Sequence, residues 1–247
     1  MANLKEIRNR IASVSSTMQI TSAMKMVSAA KLKKAQDAIT AMRPYANKLT
    51  ELLQNLSATL DADSGSKYSE QRDVKNVLIV AITSNRGLCG AFNSNIIKQA
   101  NLVAERYDAN VSVVAIGKKA NDALSKNFEI ISNQSPVYDD LTFENVAEIA
   151  EMLMEQFESK AVDKIEIIYN KFKNAATQEI MTEQFLPIEP LEGDTNANLD
   201  YIFEPSKEEI VETLIPKSLK TQLYKSIRDS FASEHGARMT AMHKATD

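Results

Sequence analysis

The chain has 247 residues, of which 44% are hydrophobic and 25% charged, and its formal net charge is -4. These values are ordinary for a soluble globular protein, and no window reaches the ~18 uncharged apolar residues that a membrane span needs. The first residues include Lys5, Glu6 and Arg8 and lack an apolar stretch, so we expect neither a secretory signal nor a transit peptide. The single cysteine, Cys89, excludes an internal disulfide and is typical of a reducing compartment, which favours a bacterial-type cytoplasmic protein.

Residues 1–60 are predicted to form one long coiled-coil helix. Between Asn3 and Leu60 there is no glycine and a single proline, Pro44, which is expected to kink or locally open the helix. An apolar stripe recurs at spacings of three and four residues, as in a coiled coil, and comprises Ile7, Ile11, Val14, Met18, Met24, Val27, Leu32, Ala35, Ile39 and Met42. The register slips after Met18, which predicts local over- or under-winding. The alternative, a plain amphipathic helix on a local core, would need a domain that covers many turns.

The middle of the chain alternates between strand and helix patterns. After a polar linker at 61–73, a nearly continuous apolar run predicts a buried parallel strand. Further strands are predicted at 111–116, 129–131, 164–169 and 178–186, and helices at 93–107, 118–126 and 143–159. This order favours an open α/β, Rossmann-like domain over residues 74–186.

The C-terminal part is predicted to be helical again. A turn-rich linker at 187–205 leads into residues 206–247, where Ser206 and Glu209 have the spacing of a capping box. Pro216 fits the first turn of a second helix, whose seam comprises Leu219, Leu223, Ile227, Phe231, His235, Met239 and Met242. The two end helices should pair as an antiparallel coiled coil, a rod that carries the α/β domain.

Charge is distributed unevenly along the chain. Residues 1–48 contain nine basic and two acidic side chains, and residues 217–247 contain six basic and three acidic ones. The middle is therefore acidic and the rod is basic, which indicates an acidic partner for the rod. Nucleic acid is disfavoured because the basic residues are not interleaved with aromatic ones and no recognition motif is present.

Candidate chemistry is sparse. The segment 83–93 lies between a strand and a helix, where a phosphate-binding turn would sit, but it has neither a Walker nor a G-x-G-x-x-G pattern. Gly87 and Gly90 are better explained as shaping a tight turn, and Cys89 as a small buried hydrophobe. His235 and His243 are two helical turns apart and lack metal-pair spacing. We predict no catalytic, cofactor or metal site in this chain.

Two segments are more specific than these patterns, Ile20–Gln36 and Ala232–Asp247, and Arg86–Gly90 supports them. Together they resemble the gamma subunit of the F-type ATP synthase, over the whole chain and in the same order of elements. The resemblance implies a central rotary shaft that couples ion-driven rotation of the c-ring to conformational change in the beta catalytic sites. It implies alpha and beta subunits in a ring of three each, epsilon and the c-ring as partners, no cofactor, and a peripheral location at the cytoplasmic face of the bacterial inner membrane.

The resemblance also implies residue roles. Met24 and Lys25 match a shaft position near the beta-subunit loops, with Arg238 and Met239 on the facing helix segment. Tyr201, Glu204 and Pro205 resemble the foot that meets the c-ring and epsilon. For Met24 and Met239, packing in the coiled-coil seam is the structural alternative.

One departure from the family is expected to have consequences. The family continues with several helical turns after the Ala-Thr-Asp motif that ends at Asp247, so we expect a truncated C-terminal helix, with residues 1–19 unpaired and their apolar stripe exposed. Two other functions remain open on the residues alone. One is a coiled-coil adaptor that carries an α/β domain, and the other is a small nucleotide-dependent enzyme that uses the turn at Gly87.

Overall fold

The structure, a computed structural model, describes residues 3–57, 67–188 and 207–247. Two long helices flank five strands and three shorter helices. The helices are α1 (Leu4–Ser57), α2 (Phe92–Ala104), α3 (Lys118–Leu124), α4 (Phe143–Glu158) and α5 (Lys207–Thr246). The strands are β1 (Asn76–Ile82), β2 (Asn110–Ile116), β3 (Glu129–Asn133), β4 (Lys164–Phe172) and β5 (Gln178–Leu186), and a 3-10 turn spans Ser135–Tyr138.

The strands form one sheet in the order β3-β2-β1-β4-β5. The first four strands are parallel, and β5 pairs antiparallel with β4 at the edge. This confirms the predicted α/β class, with a sheet inserted between long terminal helices. From β1 the chain goes to β2 and β3 on one side of the sheet and then to β4 and β5 on the other, so the strand order switches between β1 and β4. In open α/β folds such a switch point is where ligands usually bind.

Alternate residues of β1 face two different cores, because side chains alternate across a strand. Leu78, Val80 and Ile82 pack towards α4 and α5, whereas Val77, Ile79 and Ala81 pack towards α2 and α3. All six side chains are fully buried, which explains why the sequence here is a continuous apolar run rather than an alternating one. The first core also includes Ile215, Leu219, Leu223 and Ile227 of α5. Helix α5 is therefore a layer of the α/β domain as well as a partner of α1.

The two end helices run antiparallel, as predicted. The Lys217 ammonium lies 5.9 Å from the centre of the Tyr45 ring, and the hydroxyl oxygens of Thr21 and Thr246 are 2.8 Å apart. Helix α1 has 54 residues, a length of about 80 Å at 1.5 Å per residue. The threonine contact places Thr246 beside Thr21, which agrees with the expectation that residues 1–19 are unpaired.

The expectation for Pro216 was wrong, whereas the kink or local opening expected at Pro44 stays a prediction. Helix α1 is continuous through Pro44. Helix α5 runs unbroken from Lys207, so Pro216 lies inside it and does not begin a second helix. Each proline removes one backbone hydrogen bond, but both helices are packed beside their proline, with Ala46 and Leu49 buried near the first and Ile215 and Leu219 near the second. The capping-box residue Ser206 lies outside the described residues, as do 61–66 of the first predicted linker and 189–205 of the second.

The start of α1 presents apolar side chains to solvent. Leu4, Ile11 and Val14 are each 63% exposed, and Ile7 and Met18 are 44% and 46% exposed. This agrees with the exposed stripe expected for residues 1–19, within the part of α1 that the structure describes. From Leu32 onwards the seam residues Leu32, Ala35 and Ile39 are buried instead.

Candidate functional site

The turn that follows β1 is built by its own side chains and by two left-handed residues. Leu88 and Gly90 have φ angles of 62° and 60°, which reverse the chain tightly ahead of α2. The Asn93 Oδ1 atom accepts a hydrogen bond of 2.9 Å from the backbone N–H of Ser84. Cys89 is buried, as predicted, and burial raises the pKa of its thiol. The sequence-based interpretation of the glycines as turn residues is confirmed for Gly90.

The carbonyl oxygens of this turn bind a side chain of α5. The Arg238 guanidinium donates to the carbonyl oxygen of Gly87 from Nε at 3.2 Å and from Nη2 at 3.1 Å. Nη2 also donates to the carbonyl oxygen of Arg86 at 3.1 Å. A turn that binds phosphate offers backbone N–H groups, but this turn directs carbonyl oxygens at a cation. The part of the turn considered for a nucleotide is therefore occupied by the chain's own C-terminal helix.

Arg238 also has an acidic partner on its own helix. Its Nη1 atom lies 2.6 Å from the Glu234 Oε1 atom, one helical turn earlier, and both side chains are about nine-tenths buried. Burial raises the pKa of the Glu234 carboxyl, while the Arg238 charge acts in the opposite direction. A buried ion pair of this kind satisfies two charges that could not remain buried singly. We call Glu234, His235 and Arg238, with the carbonyl oxygens of Arg86 and Gly87, the buried polar cluster.

His235 is the neutral member of the buried polar cluster. Burial, followed by the charges of Arg238 and Lys31, lowers its pKa to about 3. Its Nδ1 atom is 3.4 Å from the Arg238 Nη1 atom, and since arginine only donates, Nδ1 accepts and the proton lies on Nε2. That nitrogen is buried and has no hydrogen-bond partner among the described residues. The ring also packs edge-on against Phe231, with centroids 4.5 Å apart.

The depressed histidine pKa predicts a pH dependence of stability. Below pH about 6.5 an unfolded chain takes up a proton on His235 that the folded chain does not take up until pH about 3. The free energy of unfolding should therefore fall as pH falls through that window, by up to about 1.4 kcal/mol per pH unit. We expect His235→Gln to lose this part of the slope in urea unfolding between pH 7 and pH 5.

The second histidine provides the control for this measurement. His243 is exposed on the last turn of α5, with Nδ1 3.2 Å from a carboxylate oxygen of Asp247. His243→Gln removes an imidazole outside the buried polar cluster, so a loss of slope that both variants share would not be due to the burial of His235. The raised pKa of Glu234 makes the free energy of unfolding rise as pH falls, which opposes the effect of His235. Glu234 is present in the wild type and in both variants, so differences in slope between the three proteins report the histidines. Equal slopes for wild type and His235→Gln would contradict the prediction.

The opposite side of α5 lies against the hairpin that joins β4 to β5. A Cβ atom added to Gly236 would lie 3.1 Å from the Cα atom of Ala175 and 3.2 Å from its carbonyl oxygen. The Thr240 hydroxyl donates to that same oxygen at 3.1 Å. Glycine is therefore favoured at this position on steric grounds. A residue without a side chain lets the helix approach the hairpin backbone without these tight contacts.

Helix α1 completes the surroundings of this part of α5. A separate apolar cluster joins the two helices to the end of β4, and its buried members are Leu32, Ala35, Ile39, Phe172 and Ala232. Met239 is half-buried and packs against this cluster. The region of α5 around Gly236 is thus in contact with the β1 turn, the β4–β5 hairpin and the long helix α1.

The predicted site residues fall into three groups. Met24 and Lys25 are half-buried on α1, and their neighbours Met26 and Val27 are 65% and 58% exposed. Arg238 is only 7% exposed, because its guanidinium is engaged within the chain. Tyr201, Glu204 and Pro205 lie outside the described residues. Nothing in the structure tests contacts of any of these residues with other subunits, so those roles stay predictions.

Sequence reasoning missed Glu234, Gly236 and Ala175. The spacing of Glu234 and Arg238 is a recognisable i, i+4 pair, but such pairs normally lie on exposed helix faces. The signal that could have been used is Gly236, a glycine inside a long helix, which costs about 1 kcal/mol relative to alanine and so indicates a close packing contact. Nothing in the sequence pattern points to Ala175.

Two findings concern other kinds of site. Within 3–57, 67–188 and 207–247, no cluster of three or more histidine, cysteine or acidic side chains is arranged to hold a metal ion. None of the helices in these ranges has the length and apolar character required to cross a membrane.

Comparison with known proteins gives consistent results. Residues 3–247 match the family model described as ATP synthase. The ATP synthase gamma chain of Flavobacterium psychrophilum is 73% identical over 249 residues, covering all of this chain and 87% of that protein. The gamma chain of Flavobacterium johnsoniae is 72% identical with the same coverage.

Solved structures agree with the sequence relatives. A chain from the central stalk and c-ring structure of the Tetrahymena thermophila mitochondrial ATP synthase matches with a TM-score of 0.69 and 27% identity, over 92% of this chain and all of that one. A rotor chain of the Euglena gracilis mitochondrial ATP synthase shares the fold, with a TM-score of 0.64 and 22% identity over 97% of this chain and 89% of that one. With the family model, the identities and the antiparallel end helices in agreement, the chain belongs to the ATP synthase gamma-chain family.

Proposed function

We infer that this chain is the central rotary shaft of an F1Fo ATP synthase. It couples rotation of the c-ring, driven by ion flow, to conformational change and to ATP synthesis or hydrolysis at the beta subunits. The observation that carries this function is the match of residues 3–247 to the family, and the two long antiparallel helices give the chain the form of a shaft. Its partners are the alpha and beta subunits, epsilon and the c-ring.

The charge and shape of the rod support this function. The basic side chains of α1 suit an acidic surface on the surrounding ring. The apolar spacing of α1 slips after Met18, so the coiled coil has no regular heptad and the shaft is not symmetric. An asymmetric shaft presents a different face to each of three surrounding catalytic sites as it turns, which is the requirement for driving them through different conformations.

The proposal also assigns particular residues to contacts with particular subunits. We place Met24 and Lys25 near the beta-subunit loops, with Arg238 and Met239 on the facing helix segment, where Arg238 acts from within the shaft. We place Tyr201, Glu204 and Pro205 at the foot, against the c-ring and epsilon. The division into a coiled coil (1–60 and 206–247), linkers (61–73 and 187–205) and an α/β domain (74–186) belongs to the same proposal.

The complex that contains this chain is peripheral to a membrane. We propose that it lies at the cytoplasmic face of the bacterial inner membrane, held there through the complex. The ATP chemistry belongs to the alpha and beta subunits, and this chain transmits motion without a cofactor of its own.

Reconstitution with the alpha and beta subunits of the same enzyme tests the function. We expect the chain to co-elute from size exclusion with alpha and beta as one copy per hexamer, and to raise the ATPase activity of the assembled ring. Albumin at the same concentration provides the negative control. If the chain is folded by circular dichroism but never co-elutes, the proposal is wrong and the coiled-coil adaptor becomes the better description.

A further inference from the structure

We propose that residues 234–240 of α5 are the torsional joint of the shaft, where the coiled coil is locked to the α/β domain. Helix α5 is held here from nearly opposite sides, by the turn after β1 and by the β4–β5 hairpin. Held in this way, it cannot rotate about its own axis relative to the sheet. The inference rests on the proposed function, since a lock against rotation matters only in a chain that carries torque.

Helix geometry places the two holding surfaces, the face of α5 towards the β1 turn and the face towards the β4–β5 hairpin, on nearly opposite sides of the helix. Successive residues of an α-helix are about 100° apart around its axis, so Glu234 and Arg238 lie in one row and Gly236 and Thr240 in another. These rows are about 160° apart. The first row contacts the β1 turn and the second contacts the hairpin backbone at Ala175.

The contact with the β1 turn is directional. One guanidinium donates three hydrogen bonds to two backbone carbonyl oxygens, those of Arg86 and Gly87, and pairs with Glu234 behind it. These carbonyls follow β1, the central strand, which is bonded to β2 and β4 on its two sides. The planar fork of arginine matches such a pair of acceptors in one orientation only. A small rotation of α5 would break all three bonds together.

The contact with the hairpin is steric. A Cβ atom at Gly236 would lie 3.1 Å from the Cα atom of Ala175, so even alanine would push the hairpin away from the helix by a few tenths of an ångström. The hairpin is braced by its own turn, in which the backbone N–H groups of Asn174 and Thr177 each donate to the other's carbonyl oxygen, at 3.2 and 3.3 Å. Rotation of α5 in either direction would push a neighbouring side chain of the helix into this backbone.

The position of the joint along α5 is also informative. Thr240 makes the last hydrogen bond from α5 to the α/β domain among the described residues, and further along Thr246 bonds to Thr21 of α1 and to its own helix. Torque between the α/β domain and the end of the coiled coil at Thr21 and Thr246 must therefore pass through residues 234–240. Residues Leu32, Ala35 and Ile39 of α1 pack against the same level, so both helices are fixed there.

The test uses the whole ATP synthase in inverted membrane vesicles and compares two rates. One is ATP hydrolysis, and the other is the membrane potential that hydrolysis builds, read with an oxonol dye that responds to either coupling ion. The variants are Gly236→Ala, Thr240→Val and the double variant. The control is Thr221→Val, which removes a hydroxyl bond of 2.7 Å to the carbonyl oxygen of Lys217 within α5 and touches neither holding surface.

We expect Gly236→Ala and Thr240→Val to assemble and hydrolyse ATP, with the potential per ATP lowered at least about twofold and lowered further in the double variant. Thr221→Val should retain the wild-type ratio. Thermal unfolding of the same variants separates this result from a merely structural role. Alanine favours the helix, so a Gly236→Ala chain that stays folded and assembles but couples poorly has lost the geometry of the joint and not the fold.

Three results would overturn the inference: a wild-type ratio in the double variant, an equal loss in Thr221→Val, or failure of Gly236→Ala to assemble. Failure of the proposed function looks different, because the wild-type chain would then not assemble with alpha and beta at all, and the inference would fall with it.

Discussion

Replacing Arg238 with glutamine is expected to lower the free energy of unfolding by about 3–5 kcal/mol. The change leaves the buried Glu234 carboxylate without its cation, and glutamine cannot supply the five N–H donors of a guanidinium. The carbonyl oxygens of Arg86 and Gly87, which now accept three hydrogen bonds from Arg238, would lose most of them. Urea unfolding of the purified chain, followed by circular dichroism at pH 7, measures the loss.

An exposed pair with the same spacing provides a matched control. Lys33 and Asp37 are also four residues apart on a helix, with Nζ and Oδ1 at 3.2 Å, but their side chains are 75% and 63% exposed. Lys33→Gln should therefore change stability by less than about 1 kcal/mol. If both glutamine variants lower the free energy of unfolding by the same amount, burial does not strengthen the Arg238–Glu234 pair, and our account of the buried polar cluster is wrong.

The second large effect is expected from Gly117→Ala. Gly117 has a φ angle of 108° between β2 and α3, a region that residues with a side chain rarely enter. A Cβ atom there would lie 2.2 Å from the carbonyl oxygen of Thr83. Thr83 directly follows β1 and Gly117 directly follows β2, the strand paired with it. The strained backbone and the forced separation of two central strands should together cost about 2–6 kcal/mol. The midpoint of urea unfolding is the measurement.

Gly87→Ala is the corresponding control, since a Cβ atom at Gly87 meets no heavy atom within 4 Å. Its stability should stay the same or rise by less than about 1 kcal/mol, because alanine restricts the unfolded chain. A Gly117→Ala protein as stable as Gly87→Ala would mean that the strand ends can separate freely, contrary to the packing described above.

The strands were predictable where one physical rule dominates. The apolar run that contains β1 has no alternation, and the structure buries that strand on both faces, as the rule for parallel strands requires. The bounds of β5 were also predicted, but its antiparallel direction was not, because an alternating pattern does not specify the direction of the neighbouring strand. Pro216 predicted the start of a second helix, but Ile215 and Leu219 are buried beside it and stabilise one continuous helix instead.

The buried polar cluster could not be predicted from the sequence, because only some of its members are close together along the chain. Glu234 and Arg238 look like an ordinary surface pair on a helix. Their burial depends on Arg86 and Gly87, about 150 residues earlier, and no periodicity in either segment refers to the other. The role of Gly236 likewise depends on Ala175, whose own sequence context is that of an unremarkable hairpin turn.

The contact between Thr21 and Thr246 joins residues 225 positions apart, and this separation sets an order of events during synthesis. At about 5–20 residues per second, a ribosome needs roughly 10–45 s to make the second threonine after the first. For most of that interval, until Phe231 and Ala232 are made, the nascent α1 has no α5 against which to bury Leu32, Ala35 and Ile39. The segment that is made first is therefore among the last to be covered, and the α/β domain must fold in between with an uncovered helix attached to it.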